Sequence, residues 1–381
     1  MNKLHSRGFT GAACLLIVFC GALPAFANCC LKYNTITFSV PGAGFTRPTS
    51  INSSGAIAGV YGSSDGGTLA SGFVRDPNGT ITTFLGPGGH KIMWGQPTSH
   101  QVGYNVTNAG VYINDSGAVA GSYGIYNGIS LVMHGFVGNP KVAGGLVSFD
   151  PPGSVYTEVR DINASGWVTG TFHDASYKYH GFVYINGTSY LIDVPGAEWT
   201  AASSVTSQDV IVGLYADGQG EHGFWCNQPC SYWFFGNLFF SGGSFNSPAG
   251  VSWMGNPIPF RSNSLGTLAG TLQAYSNNKL SGYVGNTQGN STSFQFPGAW
   301  LTGAFGINTT GLVVGWYFVA SNTHAFLRDA TGSIVDIDPP GSGFAIATAI
   351  NDAGVIIGVT DELGFVTTLE SGVCCNVRQG P

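Results

Sequence analysis

The chain has 381 residues, of which 8% are charged and 59 are glycine, and its formal net charge is -6. An ordinary soluble domain has about 25% charged residues and about 7% glycine, so this composition argues against long amphipathic helices and disorder. It favours an all-β protein rich in turns. No run of Lys or Arg is present in the sequence, which argues against nucleic acid as a partner.

Residues 1–27 have the pattern of a secretory signal peptide. Lys3 and Arg7 supply a positive start, a short apolar stretch follows, and residues 25–27 (AFA) form an A-x-A cleavage site. No later apolar run reaches the ~18 residues that a membrane-spanning helix needs. We therefore expect the mature chain, 28–381, to be a single soluble domain that is secreted, either into the periplasm or out of the cell.

Six of the eight cysteines remain after removal of the signal. Export and the even number predict disulfides. Cys226 and Cys230 lack the spacing and the further ligands of a zinc site, so a local bridge across a hairpin tip is expected. The remaining four stand as two pairs near the two ends of the chain, and the pairing among them stays open: Cys29, Cys30, Cys374 and Cys375.

The first predicted strand after the signal, 34–40 (NTITFSV), has no partner strand beside it in sequence. It precedes a Pro-Gly turn, and nearly the same phrase recurs at the end of longer units downstream. These later copies are SYLIDVPGA (189–197), STSFQFPGA (291–299) and SIVDIDPPGSG (333–343). The first copy therefore looks like the end of a unit whose other strands lie elsewhere in the chain.

A nine-residue string recurs along the rest of the chain and defines seven units. Five copies are clear, and the fourth and fifth in chain order below are degenerate. The shortest distance between the starts of two copies is 43 residues. The copies are INSSGAIAG (51–59), INDSGAVAG (113–121), INASGWVTG (162–170), VTSQDVIVG (205–213), SNSLGTLAG (262–270), INTTGLVVG (307–315) and INDAGVIIG (350–358).

Each unit reads as four short strands separated by turn residues. In the sixth unit these are LTGAFGIN (301–308), GLVVGWYF (311–318), HAFLRD (324–329) and SIVDID (333–338). Four strands in ~40–45 residues, repeated along the chain, are the signature of a β-propeller. Each small sheet buries its two faces against the neighbouring sheets.

The seventh unit has three strands, FAIATAIN (344–351), GVIIGVT (354–360) and LGFVTTL (363–369), and no fourth. The sequence therefore predicts a seven-bladed β-propeller of four-stranded blades whose last blade is completed by the N-terminal strand. Six or eight blades remain open if a degenerate copy is miscounted. Both ends of the chain would then lie on one blade, within reach of a disulfide worth about 4–5 kcal/mol.

The third strand of the sixth unit begins with His324-Ala325-Phe326. This string, with its variants in the other units, resembles the extracellular HAF-repeat family over nearly the whole mature chain. The resemblance implies an exported β-propeller-like repeat protein, and it brings no catalytic residues to this sequence. The variants are His134-Gly135-Phe136, His180-Gly181-Phe182, His222-Gly223-Phe224, Ser71-Gly72-Phe73, Ser281-Gly282-Tyr283 and Leu363-Gly364-Phe365.

The repeat histidines invite a metal-site interpretation, which we weigh against a structural one. Because they recur once per unit at one strand position, we expect them to be spread out and to bond neighbouring backbone, and we predict no metal and no cofactor. Three aspartates at equivalent Pro-Gly turns are expected to cap those turns. They are Asp150, Asp193 and Asp338.

Departures from the repeat are more informative about function. The intervals of 62 residues from 51 to 113 and 57 residues from 205 to 262 hold two inserts with similar strings, IMWGQP (92–97) and SWMGNP (252–257). We expect Trp94 and Trp253 on these inserts to be exposed on the face that carries binding sites in propellers. Aromatic residues also follow most Pro-Gly turns, where packing between blades competes with ligand binding: Phe45, Tyr156, Trp199, Trp300 and Phe344.

One polar loop, FHDASYKYHGF (172–182), stands out in a chain with few charges. Its members and two histidines of the first insert could supply acid–base chemistry of the polysaccharide-lyase type. No paired carboxylates of a glycosidase accompany them, so a solvated polar loop is the competing interpretation. The candidates are His173, Asp174, Tyr177, Lys178, His90 and His100.

The function predicted from sequence is an exported binding or scaffold protein that recognises extracellular glycan or another polymer. Its candidate binding residues are Trp94, Trp253, Trp199, Trp300 and Tyr156, because flat aromatic rings stack on sugar rings. Two alternatives stay open. The first is a carbohydrate-active enzyme, and the second is a module of the cell envelope that binds another protein. The oligomeric state is not indicated.

Overall fold

The computed structural model describes residues 32–63, 69–94, 110–226, 242–246, 251–252, 261–274, 279–286 and 290–370. Their contacts place Tyr33–Leu369 in one compact unit, while the second unit, made of the two chain ends, lies outside the described residues except for Lys32 and Glu370. The described residues are all-β, with thirty strands and one short 3-10 turn at Pro87–Gly89. No helix among them is long and apolar enough to cross a membrane.

The strands of the first half alternate with tight turns, as the spacing of Gly, Asn and Pro predicts. They are β1 Lys32–Phe38, β2 Phe45–Ile51, β3 Ile57–Gly62, β4 Leu69–Arg75, β5 Ile81–Phe84, β6 Ile92–Met93, β7 Val111–Ile113, β8 Val119–Tyr126, β9 Leu131–Gly138, β10 Leu146–Phe149, β11 Tyr156–Ile162, β12 Val168–His173, β13 Tyr179–Ile185 and β14 Thr188–Ile192.

The second half continues the pattern. Its strands are β15 Trp199–Val205, β16 Ile211–Asp217, β17 Gly220–Cys226, β18 Gly242–Asn246, β19 Val251–Ser252, β20 Arg261–Ser262, β21 Thr267–Ala274, β22 Leu280–Asn286, β23 Ser291–Phe294, β24 Leu301–Ile307, β25 Val313–Val319, β26 Asn322–Arg328, β27 Ile334–Asp336, β28 Ala345–Ile350, β29 Ile356–Thr360 and β30 Leu363–Glu370.

The strands pair with their chain neighbours into antiparallel meanders, which is the arrangement that short turns allow. Three sheets have four strands in chain order, β11 to β14, β15 to β18 and β24 to β27, and a fourth sheet contains β19 to β23. The second to fifth strands and the seventh to tenth form two further meanders. These two meanders are joined into one nine-stranded sheet by β6, which pairs with both β4 and β8.

The first and last described strands share a sheet. Its order is β1-β30-β29-β28, so the N-terminal strand lies at the outer edge of the sheet built by the seventh unit. Thr35 Oγ1 lies 2.7 Å from Thr367 Oγ1 across this junction, although 332 positions separate the two residues. The lone N-terminal strand of the sequence therefore has its partners at the opposite end of the chain.

The repeated string forms the turn between the first and second strands of each unit. In the third unit the first glycine, Gly166, has a φ of +80°, which the tight turn requires. A Cβ on the last glycine of the string, Gly170, would lie 2.0 Å from the backbone oxygen of Glu158, at the β-bulge of the first strand. Both glycines of the string are therefore explained by backbone geometry and not by a ligand.

The asparagine of the string bonds successive units to one another. Its Oδ1 accepts backbone N–H groups of its own turn, and its Nδ2 donates to the backbone oxygen of the next unit's turn. We call this series the asparagine ladder. Its donors and acceptors are Asn52 to Asn114, Asn114 to Asn163, Asn163 to Thr206, Asn263 to Asn308, Asn308 to Asn351, and Asn351 to Asn52, at 2.8–3.1 Å.

The two ends of the sheets differ, because the turns of the asparagine ladder lie at one end only. We call the ends that carry the ladder turns the lower face. The opposite ends, formed by the turns between second and third strands and by the connections that lead into each first strand, are the upper face. Between the faces, apolar side chains of adjacent sheets pack together; Tyr112, Phe149 and Phe182, for example, belong to one buried cluster shared by two sheets.

Candidate functional site

Among the residues that the structure describes, three aromatic side chains stand exposed on the upper face. Tyr126 and Tyr177, exposed to 68% and 77%, lie at the turns between second and third strands of their units. Trp300, exposed to 71%, lies at the connection into a first strand. Large aromatic rings that leave so much surface in water are candidates for contact with a ligand.

The predicted exposure of Trp94 is wrong. Its side chain is only 2% exposed and stacks on Phe45, with ring centroids 4.7 Å apart and an interplanar angle of 29°. The cause is β6, which inserts between two meanders and carries the indole into the same apolar cluster as Ile92. Trp253 and His100 lie outside the described residues.

Some of the aromatic residues after the Pro-Gly turns pack in the interior, and others are exposed to solvent. Phe45 is buried, and Trp199 is half-buried against Val212 and Leu214. Tyr156 is half-buried, and its hydroxyl donates to Met93 Sδ at 3.3 Å. Of the described binding candidates, Trp300 alone presents most of its surface to solvent.

His173 lies between two tyrosine rings. It stacks on Tyr156 with centroids 5.1 Å apart, and Tyr179 meets it edge-on at 3.9 Å. Burial lowers the pKa of His173 against the opposing effect of Glu158, so the imidazole is neutral at pH 7. Burial also raises the pKa of Tyr156. A neutral imidazole is a group that can accept a proton.

The other three candidates on the polar loop, Asp174, Tyr177 and Lys178, do not join His173 in one site. Asp174 Oδ1 accepts the backbone N–H groups of Ser176 and Lys178, and these bonds, with the Ser176 hydroxyl, lower the pKa of Asp174. Asp174 Oδ2 faces His180 at 3.3 Å. Asp174 is therefore a turn-forming residue, and its loop holds Tyr177 outward in a conformation with a φ of +64°. Lys178 reaches the backbone oxygen of Ala197.

His90 lies elsewhere, with its ring stacked on Tyr123 at 5.8 Å. No contact among the described residues joins His90 to His173. The predicted grouping of the first-insert histidines with the polar loop is therefore without support where the structure describes the chain.

Three of the four repeat histidines pair with the aspartates that precede the Pro-Gly turns, whereas His222 Nε2 lies 3.1 Å from Asp217 Oδ1. The Nδ1···Oδ2 distances are 2.6 Å for His134 and Asp150, 2.7 Å for His180 and Asp193, and 2.6 Å for His324 and Asp338. The expectation that these histidines bond backbone is wrong, because the third and fourth strands are hairpin neighbours that bring both side chains together. The aspartates act as partners of the histidines as well as members of the turns.

In the sixth unit a second carboxylate joins the pair. One ligand atom each of His324, Asp336 and Asp338 lies within 4.8 Å of the others, which makes this the group of described residues that could hold a metal ion. Asp336 was not singled out from the sequence. The sequence does carry a sign of it: the string SIVDID (333–338) contains an additional acidic residue that the matching strands of the other units lack.

Two ion pairs that involve first-strand residues also went unpredicted. Arg160 Nη2 lies 3.0 Å from Glu158 Oε2, and Arg261 Nη1 lies 2.9 Å from Asp161 Oδ1. The charged residues of the first strand YTEVRDI (156–162) were the available signal, because only 8% of the chain is charged. Glu158 and Arg160 are buried on one strand, β11, whereas the half-buried pair of Arg261 and Asp161 links β20 of the fifth unit to β11 of the third.

A polar cavity of about 240 Å3 opens on the lower face. Its lining takes residues from the ladder turns of all seven units, with Asp161, Arg261 and Ser204 among them. Asp161 is saturated by Arg261, by the Ser204 hydroxyl at 2.7 Å and by backbone N–H groups. These bonds hold units together, so we assign the cavity a structural role.

The sequence matches no protein-family model and no curated protein. Solved structures do match. A selenomethionine-substituted virginiamycin B lyase from Staphylococcus aureus is 13% identical, with 89% of this chain and 100% of that chain covered and a TM-score of 0.53. A catalytically inactive variant of that lyase with quinupristin gives the same identity and coverage and a TM-score of 0.52.

The β-propeller domain of the Trilobed protease from Pyrococcus furiosus is 9% identical, with 83% of this chain and 92% of that chain covered and a TM-score of 0.50. Together these similarities give the chain a β-propeller fold. At such low identities they say nothing about its ligand or activity.

Proposed function

We propose that this chain is a polymer-binding β-propeller that recognises glycan through its upper face. The observation that carries the proposal is the exposure of Tyr126, Tyr177 and Trp300 at one end of the sheets. Flat aromatic rings bury the apolar faces of sugar rings at little cost in side-chain entropy, and neighbouring polar groups bond the hydroxyls. Lys178 lies next to Tyr177, and Asn127 lies next to Tyr126.

The scaffold that we propose is a closed ring of seven four-stranded blades, the last completed by β1. The asparagine ladder supports this count, since six of its seven steps are present and Asn351 bonds back to Asn52. The cavity lined by all seven ladder turns also supports it. A ring of this kind is rigid, so it would hold the three exposed rings at fixed separations for an extended polymer.

We also propose that the chain is exported, on the evidence of residues 1–27, and that its cysteines form disulfides. Cys226 is fully buried at the end of β17. Its predicted partner Cys230 and the four cysteines near the chain ends lie outside the described residues. Mass spectrometry of the unreduced, digested protein would identify the pairings.

The test is a binding screen of oxidised protein 28–381 against a panel of polysaccharides. We expect Trp300→Ala and Tyr177→Ala each to weaken binding about tenfold, which corresponds to about 1.4 kcal/mol. Leu265→Ala is the matched control, because Leu265 is 72% exposed but lies in a ladder turn on the lower face. Equal affinity of all variants and the parent protein would reject the upper face as the binding surface.

A second candidate is a carbohydrate-active enzyme of the lyase type. The arrangement of neutral His173 between Tyr156 and Tyr179 favours it. New unsaturated or reducing ends after incubation, lost in His173→Gln but not in Trp300→Ala at saturating polymer, would support this alternative. Binding without product supports the binding protein. If no polysaccharide binds, a protein partner becomes the leading explanation for the exposed rings.

A further inference from the structure

We propose that the sixth unit holds a divalent metal ion, bound by His324, Asp336 and Asp338. The proposal is independent of the proposed function. His324 Nδ1 lies 2.6 Å from Asp338 Oδ2 and 3.9 Å from Asp336 Oδ2, so one imidazole nitrogen and two carboxylate oxygens face a common point. All three side chains retain partial exposure, and Asp336 is 44% exposed, which leaves a route for an ion from solvent.

Backbone groups orient both carboxylates toward that point. Asp336 Oδ1 accepts the backbone N–H of Asp338 at 2.9 Å, and Asp338 Oδ1 accepts the backbone N–H of Ala325 at 2.7 Å. Each Oδ1 is therefore engaged, and each Oδ2 is turned to His324. Bonds to the second oxygen of a carboxylate are the usual means by which proteins orient metal ligands.

The imidazole is fixed by stacked rings. Tyr317 stacks on His324 with centroids 5.0 Å apart and an angle of 20°, and Phe296 stacks on the far side of Tyr317 at 3.6 Å. The Tyr317 hydroxyl donates to Asp336 Oδ2 at 2.5 Å. These contacts hold the three ligand side chains in place before any ion binds, which lowers the entropic cost of binding.

Comparison with the second unit separates this group from the general repeat. There His134 and Asp150 form the same pair, but Ser148 stands where the sixth unit has Asp336, since Ser148 and Asp336 are cross-strand partners of the equivalent Phe136 and Phe326. Ser148 Oγ lies 2.8 Å from the Tyr123 hydroxyl, as Asp336 bonds Tyr317. The tyrosine thus needs only a hydroxyl partner, so its bond alone does not account for the additional negative charge of Asp336.

Charge also favours a cation. Two carboxylates share one imidazole, so the group keeps a net charge of about -1 even when His324 is protonated. A divalent ion would replace the proton on Nδ1 and make the site neutral. One nitrogen and two oxygens suit Zn2+ or Mn2+ better than Ca2+, which takes six to eight oxygen ligands. Three protein ligands leave further positions for water or a ligand.

The site also touches the N-terminal strand. The Tyr33 hydroxyl on β1 donates to the backbone oxygen of Asp336 at 3.2 Å. An ion that immobilises Asp336 would therefore also hold this contact between the sixth unit and the sheet that both chain ends share. We expect bound metal to raise the melting temperature of the protein.

The experiment is calorimetric titration of untagged, chelator-treated protein 28–381 with Zn2+ and, separately, Mn2+. We expect one site, a rise in melting temperature, and at least tenfold weaker binding in Asp336→Ser, which copies the native second unit and should therefore fold. His134→Ala is the matched control and should bind metal as the parent does. For Mn2+, electron spin-echo spectra should show coupling to an imidazole nitrogen that is lost in His324→Ala.

Two results would overturn the proposal. One is the absence of binding at millimolar Zn2+ and Mn2+ in protein whose circular dichroism and melting curve show it to be folded. The other is binding that is equally strong in the parent, Asp336→Ser and His324→Ala, because the ion would then sit elsewhere. Neither result would bear on glycan recognition, which is measured with variants of Trp300 and Tyr177.

Discussion

The side-chain amide of Asn351 donates to the backbone oxygen of Asn52 at 3.0 Å, across 299 positions of sequence. The same bond links most successive units, and a hydrogen bond of this kind contributes about 1 kcal/mol net. The string that identifies the repeat in the sequence is thus also the group that fastens one unit to the next.

Removing one member of the ladder should destabilise the protein. In Asn308→Ala the backbone N–H of Leu312 loses its side-chain acceptor, and the backbone oxygen of Asn351 keeps only the N–H of Gly354, in a buried setting. We expect the free energy of unfolding to fall by about 2–3 kcal/mol, measured by urea denaturation monitored by tryptophan fluorescence. Thr309→Ala, one position later on the turn surface, should change it by less than about 0.5 kcal/mol.

The fourth unit offers the opposite test. Thr206 occupies the asparagine position, and its Oγ1 accepts the backbone N–H of Val210 at 3.0 Å but donates to no residue of the fifth unit that the structure describes. Thr206→Asn should supply the missing Nδ2 donor toward the turn of Asn263 and raise stability by about 1 kcal/mol. A loss of stability would mean that the two turns stand too far apart for the bond.

The last glycine of the string should tolerate no side chain. Gly170→Ala places a Cβ 2.0 Å from the Glu158 backbone oxygen and close to the Phe182 ring. Because the oxygen belongs to the backbone of a bulged strand, relief requires the sheet to shift, and we expect a loss of more than about 3 kcal/mol. Gly218→Ala is the control, since a Cβ there meets no atom within 4 Å. Thermal unfolding of both variants would measure the two losses of stability.

Stability should depend on pH through His173. Burial holds its folded-state pKa below the unfolded value of 6.5, so the unfolded chain binds the proton more readily. Stability from the neutral imidazole is therefore complete above pH 6.5 and declines as the pH falls below it. Guanidinium unfolding at pH 7.5 and 5.5 should show a smaller loss for His173→Gln than for the parent protein. Equal losses would mean that His173 does not control stability in this range.

The sequence predicts a structural feature well when that feature depends on residues close together in the chain. The ladder turns follow from Asn, Gly and apolar residues at fixed spacing, and these local rules gave the strands correctly. The pairing of His134 with Asp150 was also predictable, because third and fourth strands form a hairpin and the two residues recur at nearly constant separation.

Other features depend on contacts that no local rule specifies. Phe45 and Trp300 both follow a Pro-Gly turn, but Trp300 stands one position earlier relative to the repeat asparagine, and the first is buried and the second exposed. Phe45 is also covered by Trp94, which is carried in by an insert that pairs with β4 and β8. No local rule specifies the path of that insert.

The sharing of one sheet by β1 and β30 has a consequence for synthesis of the protein. β1 leaves the ribosome long before its partner strand, which is translated more than 300 residues later. Until then β1 carries unpaired backbone groups, which are a template for aggregation. A product truncated before β30 would leave β1 and β29 each without this partner, so only a chain translated through β30 can cover both.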